Sequence, residues 1–388
     1  MNIVTLEGYL PEPGAYDELW LGAPEIRPHW QPYLDAAAQL DLMQVRSDIR
    51  RLLQENGVTY NVHGDPAGQP RDWQLDVVPL IIDESDWTAI EAGIRQRAEL
   101  LNLILADLYG AQTLIKQGLI PPELVYLHDG YLRPCLNIEH KGPHLPIYAA
   151  DLGRGPDGRM WVLGDRTQAP SGMGYAIENR TVMARVMSGM FADGRIRRLS
   201  NFFRQFRAAL YELAPRGSDS PQVAVLTPGP YNETYFEHAY LASYLGFALV
   251  QGNDLTVSDG QLALKTMAGL RPVDVVLRRV DDRFCDPLEL LNYSQLGVAG
   301  LVETARRRHV AIANPLGSGV LENPGFMPFL PGLARHFLSE DLRLPTAATW
   351  WCGQPAELTY VLEHLPELVI KRIARSTRSS TVFGHKLS

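Results

Sequence analysis

The chain has 388 residues, of which 46% are hydrophobic and 21% charged, and its formal net charge is -8. That length exceeds one typical core and implies two or three packed subdomains, while the composition excludes a low-complexity or disordered chain. The basic residues are scattered rather than striped, which argues against a nucleic-acid footprint. No apolar stretch reaches the ~18–20 residues needed to span a bilayer, so no membrane association is expected. Cys135, Cys285 and Cys352 lie too far apart for a zinc pair or a disulfide framework, as suits a reducing cytoplasm.

Residues 32–56 place Leu40, Leu42, Met43, Ile49, Leu52 and Leu53 at helical spacing, with Gly57 where a C-terminal cap belongs. One helix is predicted there, then a strand over 58–62 and another over 75–82. Asp83 or Ser85 caps a long helix running to Leu108, whose inner face holds Ile90, Ile94, Leu101 and Leu105. A hairpin follows: an apolar strand ending at Asp151, a Pro156-Asp157-Gly158 turn, and a strand from Met160 to Leu163. Its geometry brings Asp151 and Asp165 to the same end, where paired carboxylates can hold a divalent cation against phosphate oxygens. The competing reading pairs Asp165 with Arg166 or Arg180. A polar loop, Pro170-Ser171-Gly172, then feeds helices over 175–190 and 199–213.

Beyond residue 220, strands are predicted over 223–227, 248–251, 273–279 and 310–313, with a helix over 232–245. This alternation points to a small parallel sheet. The Thr227-Pro228-Gly229-Pro230 loop then lies at a strand's carboxyl end, where open α/β sheets bind ligands. Arg278, Arg279, Asp281 and Asp282 end the third strand, placed either to grip a charged small molecule or to form an internal ion-pair cluster. His238 reads as a packing residue, and Arg306-Arg307-Arg308 as the solvated last turn of a helix. Five prolines between 324 and 355 break the late chain before a last strand, 368–373, that carries Lys371. There is no Gly-x-x-x-x-Gly-Lys loop, His-Glu-x-x-His or Gly-x-Ser-x-Gly elbow, and Ser171 reads as a helix cap or phosphate contact.

Several segments, in order, carry a family likeness. They are Gly14-Ala15-Tyr16-Asp17-Glu18-Leu19, Ala92 to Arg97 with Asn102 and Asp107 to Gly110, Gly164 to Gly172 with Tyr175 to Arg180, Leu226 to Asn232 with Tyr235 to His238, Arg278 to Asp282, Asn314 with Gly317 and Gly319, Trp350 to Gly353, and Leu368 to Lys371. Over essentially the whole chain they resemble the circularly permuted ATP-grasp proteins related to glutathionylspermidine synthase. The resemblance implies a mixed α/β fold of ATP-grasp type with an incomplete nucleotide-binding subdomain. Its divisions would be an N-terminal α/β part (1–145), the hairpin and helices of the core (146–220), a parallel substrate subdomain (221–320) and a truncated start of the nucleotide subdomain (321–388).

The activity implied is carboxylate–amine ligation through an acyl phosphate, with ATP and Mg²⁺ as cofactors and a small peptide or amino-acid-like substrate. Arg180 and Arg279 would be catalytic. Ser171, Gly172, Thr227, Asn232, Asp281 and Asp282 would bind substrate, Asn314 and Lys371 the nucleotide, and Asp151 and Asp165 the metal. Three departures from the family pattern point to an alternative, a catalytically degenerate scaffold that binds a ligand or partner. Gly164-Asp165-Arg166 stands where relatives commonly read Glu-Asp-Asn, and Glu322-Asn323-Pro324 where they carry two acids and a lysine. After Lys371, Arg372, Arg375 and Arg378 with several hydroxyls replace a Gly-rich run. The run from Gly164 to Gln168 also resembles the longer members fused to an alpha-E helical domain, a candidate partner.

Overall fold

The computed structural model describes residues 9–22, 25–61, 71–192, 196–215, 217, 220–373 and 381–387. Two helices, not one, occupy the first helical region: α1 (Gln31–Ala37) and α2 (Leu42–Glu55). The break follows from Asp41, whose carboxylate accepts the backbone N–H bonds of Met43 and Gln44 and so starts a new helix. Leu40 and Met43 are exposed, and the buried stripe is Val45, Ile49, Leu52 and Leu53. Gly57 adopts the left-handed conformation its cap position requires, at φ 65°. Thr59–Tyr60 pairs with Arg71–Asp72, and Val62 lies outside the described residues. No strand forms over 75–82, where the apolar residues dock as extended chain, Val77 buried among the residues of α1 and α2.

Helix α3 (Glu84–Tyr109) starts at Asp83, one of the two predicted caps, and buries Leu100, Leu101, Ile104, Leu105 and Leu108. The hairpin strands are β1 (Ala149–Arg154) and β2 (Met160–Arg166). Arg154 ties the N-terminal segment to both hairpin and helix, pairing with Glu18 and Asp86 at 2.8 Å each and lying over the Tyr16 ring. Helices α4 (Met173–Val186) and α5 (Ser200–Glu212) follow.

The next elements are β3 (Val223–Leu226), α6 (Tyr235–Leu245), β4 (Ala248–Val250), β5 (Leu255–Ser258), β6 (Gln261–Thr266), β7 (Gly269–Pro272), β8 (Val275–Arg278), α7 (Leu301–Arg306) and β9 (Ala311–Ala313). The predicted parallel sheet is present in the order β9-β8-β3-β4. Every residue of β3 and β8 is buried, as a parallel sheet covered on both faces requires. One face packs on α3 and α7, the other on α5 and α6. The antiparallel meander β5-β6-β7 was not anticipated, although its Asp259-Gly260 turn, with both φ angles positive, is a hairpin signal. The chain then runs through α8 (Leu330–Leu338) and α9 (Pro355–Glu363) to β10 (Val369–Lys371), which pairs antiparallel with β11 (Thr381–Phe383).

Replacing Ile104, fully buried on α3, by alanine should lower the unfolding free energy by about 2–5 kcal/mol, whereas Met43→Ala on the exposed face of α2 should change it by less than about 0.5 kcal/mol. Urea denaturation of the two variants measures both, and similar losses would contradict the core described.

Candidate functional site at the hairpin end

Side chains alternate along a strand, so Gly164 and Arg166 share one face of β2 and Asp165 takes the other. Asp151 lies opposite Gly164, which puts it on the Arg166 face. There Arg166 Nη2 sits 2.7 Å from Asp151 Oδ2, with both side chains about half exposed. On the inner face Asp165 is buried, accepting bonds from Arg97 Nε and Nη2 at 2.7 and 2.8 Å and from the Tyr148 hydroxyl at 2.7 Å. Burial, with the Asp165 charge beside it, pushes the Tyr148 phenol upward, so it stays a neutral donor.

The expectation that Asp151 and Asp165 face one cation is therefore corrected. The two carboxylates point to opposite faces, and each already has a guanidinium. Nor is the partner of Asp165 Arg166 or Arg180; it is Arg97. That arginine was legible as an oddity, since it falls three residues after Ile94 and four before Leu101 on the apolar stripe of α3, where a lone charge demands a buried partner. Among the described residues no group of three or more His, Cys, Asp or Glu side chains is arranged to hold a metal. The donors present at the hairpin end do not fit Mg²⁺.

The loop leaving β2 is stitched down on every side. Glu322 Oε1 accepts the N–H groups of Thr167 and Gln168 at 2.9 and 2.8 Å, and the Thr167 hydroxyl donates to the Ser318 carbonyl. Arg278 Nη2 donates to the Gln168 carbonyl at 2.9 Å, and Arg279 Nη1 to the Pro170 carbonyl at 2.7 Å. Arg279 also pairs with buried Glu237, whose other oxygen accepts the Gly172 N–H. Burial pushes the Glu237 carboxyl upward, opposed by Arg279.

Five expected ligand contacts are thus internal ties. The Asn314 side chain is saturated by the N–H and carbonyl of Ile147 and the carbonyl of Thr167, which removes it from the nucleotide. Asp282 is buried, accepting from the N–H groups of Gly317 and Gly319; burial pushes its carboxyl up, with Arg278 opposing. Arg279 is enclosed with Glu237, matching the ion-pair-cluster reading of this segment. Thr227 is buried too, its hydroxyl bonded to His238 Nδ1 at 2.9 Å, while His238 Nε2 meets the Thr234 hydroxyl at 3.1 Å. The Gly172 N–H is likewise taken.

What stays open is small. Ser171 and Asp281 are exposed and Asn232 is half-buried, its Oδ1 accepting from the Thr234 N–H. The structure brings Ser171 and Gly172 beside Arg279. Arg180 instead donates to the Arg197 carbonyl at 3.1 Å and lies over the Phe191 ring, its pKa lowered by burial. Lys371 is exposed on β10 opposite Thr381; Arg375 and Arg378 lie outside the described residues.

This arrangement of hairpin, clamped loop and parallel sheet can be set beside known proteins. The profile of the family described as circularly permuted ATP-grasp type 2 matches residues 79–388. The chain belongs to that family. Protein Rv2567 of Mycobacterium tuberculosis is 42% identical over 97% of this chain and 43% of its own length. Protein sll0335 of Synechocystis sp. is 39% identical over 95% of the chain and 77% of its own length. The chain thus spans less than half of the mycobacterial relative. A glutathione synthetase-like effector (GSS30) from Globodera pallida, solved in apoform, shares the fold with a TM-score of 0.51 at 15% identity, covering 88% of this chain and 86% of its own. No helix among the described residues is long and apolar enough to cross a membrane.

Asp165→Asn leaves Arg97 buried without its counter-ion and should lower the unfolding free energy by about 3–5 kcal/mol. Asp151→Asn, breaking a half-exposed pair, should cost less than about 1 kcal/mol. Equal costs in urea denaturation would contradict the opposite-face geometry. A second expectation concerns acid. Burial, with Arg279 adding to it, drives His238 down to about 3, so as pH falls below ~6.5 the unfolded chain takes up a proton that the folded chain refuses. Stability present at neutral pH is then lost, by about 2 kcal/mol at pH 5 from this residue. His238→Gln should flatten the slope of stability against pH by that amount, and an unaltered slope would show that the ring is not held neutral.

Proposed function

We propose that this chain acts as a ligand-binding scaffold on the plan of an ATP-grasp carboxylate–amine ligase, with the acyl-phosphate chemistry withdrawn from its hairpin. The observation that carries this reading is the engagement of both hairpin carboxylates, Asp165 with Arg97 and Tyr148, and Asp151 with Arg166. Making an acyl phosphate from ATP depends on Mg²⁺ and cations placed where charge develops. To reach Mg²⁺ here, Asp165 would have to abandon a buried guanidinium, at a cost of about 3–5 kcal/mol. The accessible groups are the Ser171 hydroxyl, the Asp281 carboxylate and the Asn232 amide. They suit a small amino-acid-like or peptide ligand, whose ammonium would meet Asp281.

Family membership and the glutathione synthetase-like neighbour support a second reading, ATP-dependent carboxylate–amine ligation by the whole protein. In that reading Lys371 would meet the phosphates, and an alpha-E helical domain would be the partner. Calorimetry of the 388-residue chain with Mg²⁺-ATP tests the scaffold reading. We expect no saturable heat, and no ADP release when amino acids and short peptides are added. Micromolar binding at one site per chain would overturn the scaffold reading in favour of ligation.

A further inference from the structure

A cavity of about 540 Å³ lies away from the hairpin end, against strand β9. Its walls come from both cores: Leu105, Ile138 and Leu316 from the face packed on α3, and Leu213 from the face packed on α5 and α6. Residues from opposite faces of a sheet meet around its perimeter, and Ala311 and Ile312 of β9, an edge strand of the parallel sheet, line the cavity. Ala311 turns its N–H toward β8, bonding the Asp274 carbonyl at 2.9 Å. Strand alternation therefore turns the N–H and C=O of Ile312 outward, toward the cavity. Among the described residues no bond to these two groups is made from outside the sheet.

Two half-buried imidazoles, His140 and His144, stand in the wall with ring centroids 5.0 Å apart and with no hydrogen-bond partner among the described residues. The rim carries Lys141, Arg307 and Arg308 against a single carboxylate, Glu139. Arg308 is paired with Glu139 and Arg307 with Glu303, at 2.8 and 2.7 Å. Lys141 donates to the Ala214 carbonyl and has no acidic partner among the described residues. The cavity thus combines an unpaired strand edge, an apolar floor, two free imidazoles and a net positive rim.

We propose that this cavity binds the carboxyl-terminal end of an extended peptide. The peptide adds as a short strand to β9, exchanging main-chain bonds with Ile312, and seats an apolar side chain on the floor. Its terminal carboxylate lies at Lys141. Addition to an exposed sheet edge is an established mode of peptide recognition, and the volume falls within the ~300–1,000 Å³ of small-ligand sites. At ~3.3 Å per residue only a few residues fit. A compact anion would leave both the strand edge and the apolar floor unused. The cavity shares no residue with the hairpin end, so this proposal stands whichever reading of that site is right.

The test uses the full 388-residue chain and N-acetylated tetrapeptides of the form acetyl-Ala-Ala-Ala-X, with X as Ala, Leu, Phe or Tyr. Each is prepared as free acid and as carboxamide and titrated by calorimetry. Saturable binding of at least one free acid is expected, weakened about tenfold or more by amidation and to a similar degree by Lys141→Glu. Lys141 is exposed, so a thermal melt should show the variant folded. The preferred peptide, attached by its amino end through a flexible linker to a carrier protein, distinguishes the sources: binding in both forms points to the tail of a partner, binding of the free form alone to a small peptide. No saturable binding by any acid up to millimolar concentration, equal binding of acid and amide, or undiminished binding to Lys141→Glu would each overturn the proposal.

Discussion

A guanidinium on the apolar face of a helix cannot stay there without a carboxylate, and in this protein that requirement joins the longest helix to the hairpin. Arg97 and Asp165 are both almost fully enclosed, with side-chain exposures of 1% and 4%. A third hydrogen bond from Arg97 runs from Nη1 to the Thr346 hydroxyl at 3.0 Å, and the Tyr148 phenol completes the shell of Asp165. A buried ion pair of this kind adds little net stability over an apolar pair of the same volume, yet it penalises any arrangement that separates the partners. Its effect here is on geometry: it holds β2 in one orientation, and with it the face on which every neighbouring residue emerges.

The two arginines at the end of β8 extend the same logic to the loop that follows the hairpin. Consecutive residues on a strand project to opposite sides, so Arg278 reaches Gln168 and Asn314 while Arg279 reaches Pro170 and Glu237. The carbonyls of the loop are held by guanidinium groups and its N–H groups by Glu322 and Glu237. Polar side chains that look available in a linear reading are therefore spent on backbone. Of the few left exposed, Asp281 lies just beyond the carboxyl end of the parallel strand β8, where ligand sites of open sheets lie, and Ser171 lies in the clamped loop after the hairpin.

Much of the architecture was legible in the chain. The cap at Asp83, the turn at Gly158, the positive φ at Gly57 and the alternation of short apolar runs with helices are each decided by neighbours within a few residues. They came out as read. The family was legible for a related reason, since ordered short motifs survive where loops and lengths drift. The split between α1 and α2 was missed because one capping carboxylate, Asp41, outweighs a continuous helical pattern. The expected strand at 75–82 failed because β-propensity forms a strand only where another strand supplies its hydrogen bonds.

The candidate residues were legible as names and not in their directions. Sequence placed Asp151 and Asp165 at the hairpin end and Arg278, Arg279 and Asp282 at the end of a sheet strand, and named Asn314 as a further candidate. Only the tertiary structure decided which of them face inward. Strand pairing set Asp151 opposite Gly164, and packing chose for Asp165 a partner 68 residues earlier in the chain. The same packing left the Ile312 edge of β9 without a strand partner among the described residues, a feature that no local pattern marks. Propensity and turn chemistry act over a few residues. The choice of a counter-ion, or of an open edge, follows from whole elements meeting in space, where the energy of one buried charge exceeds any local preference.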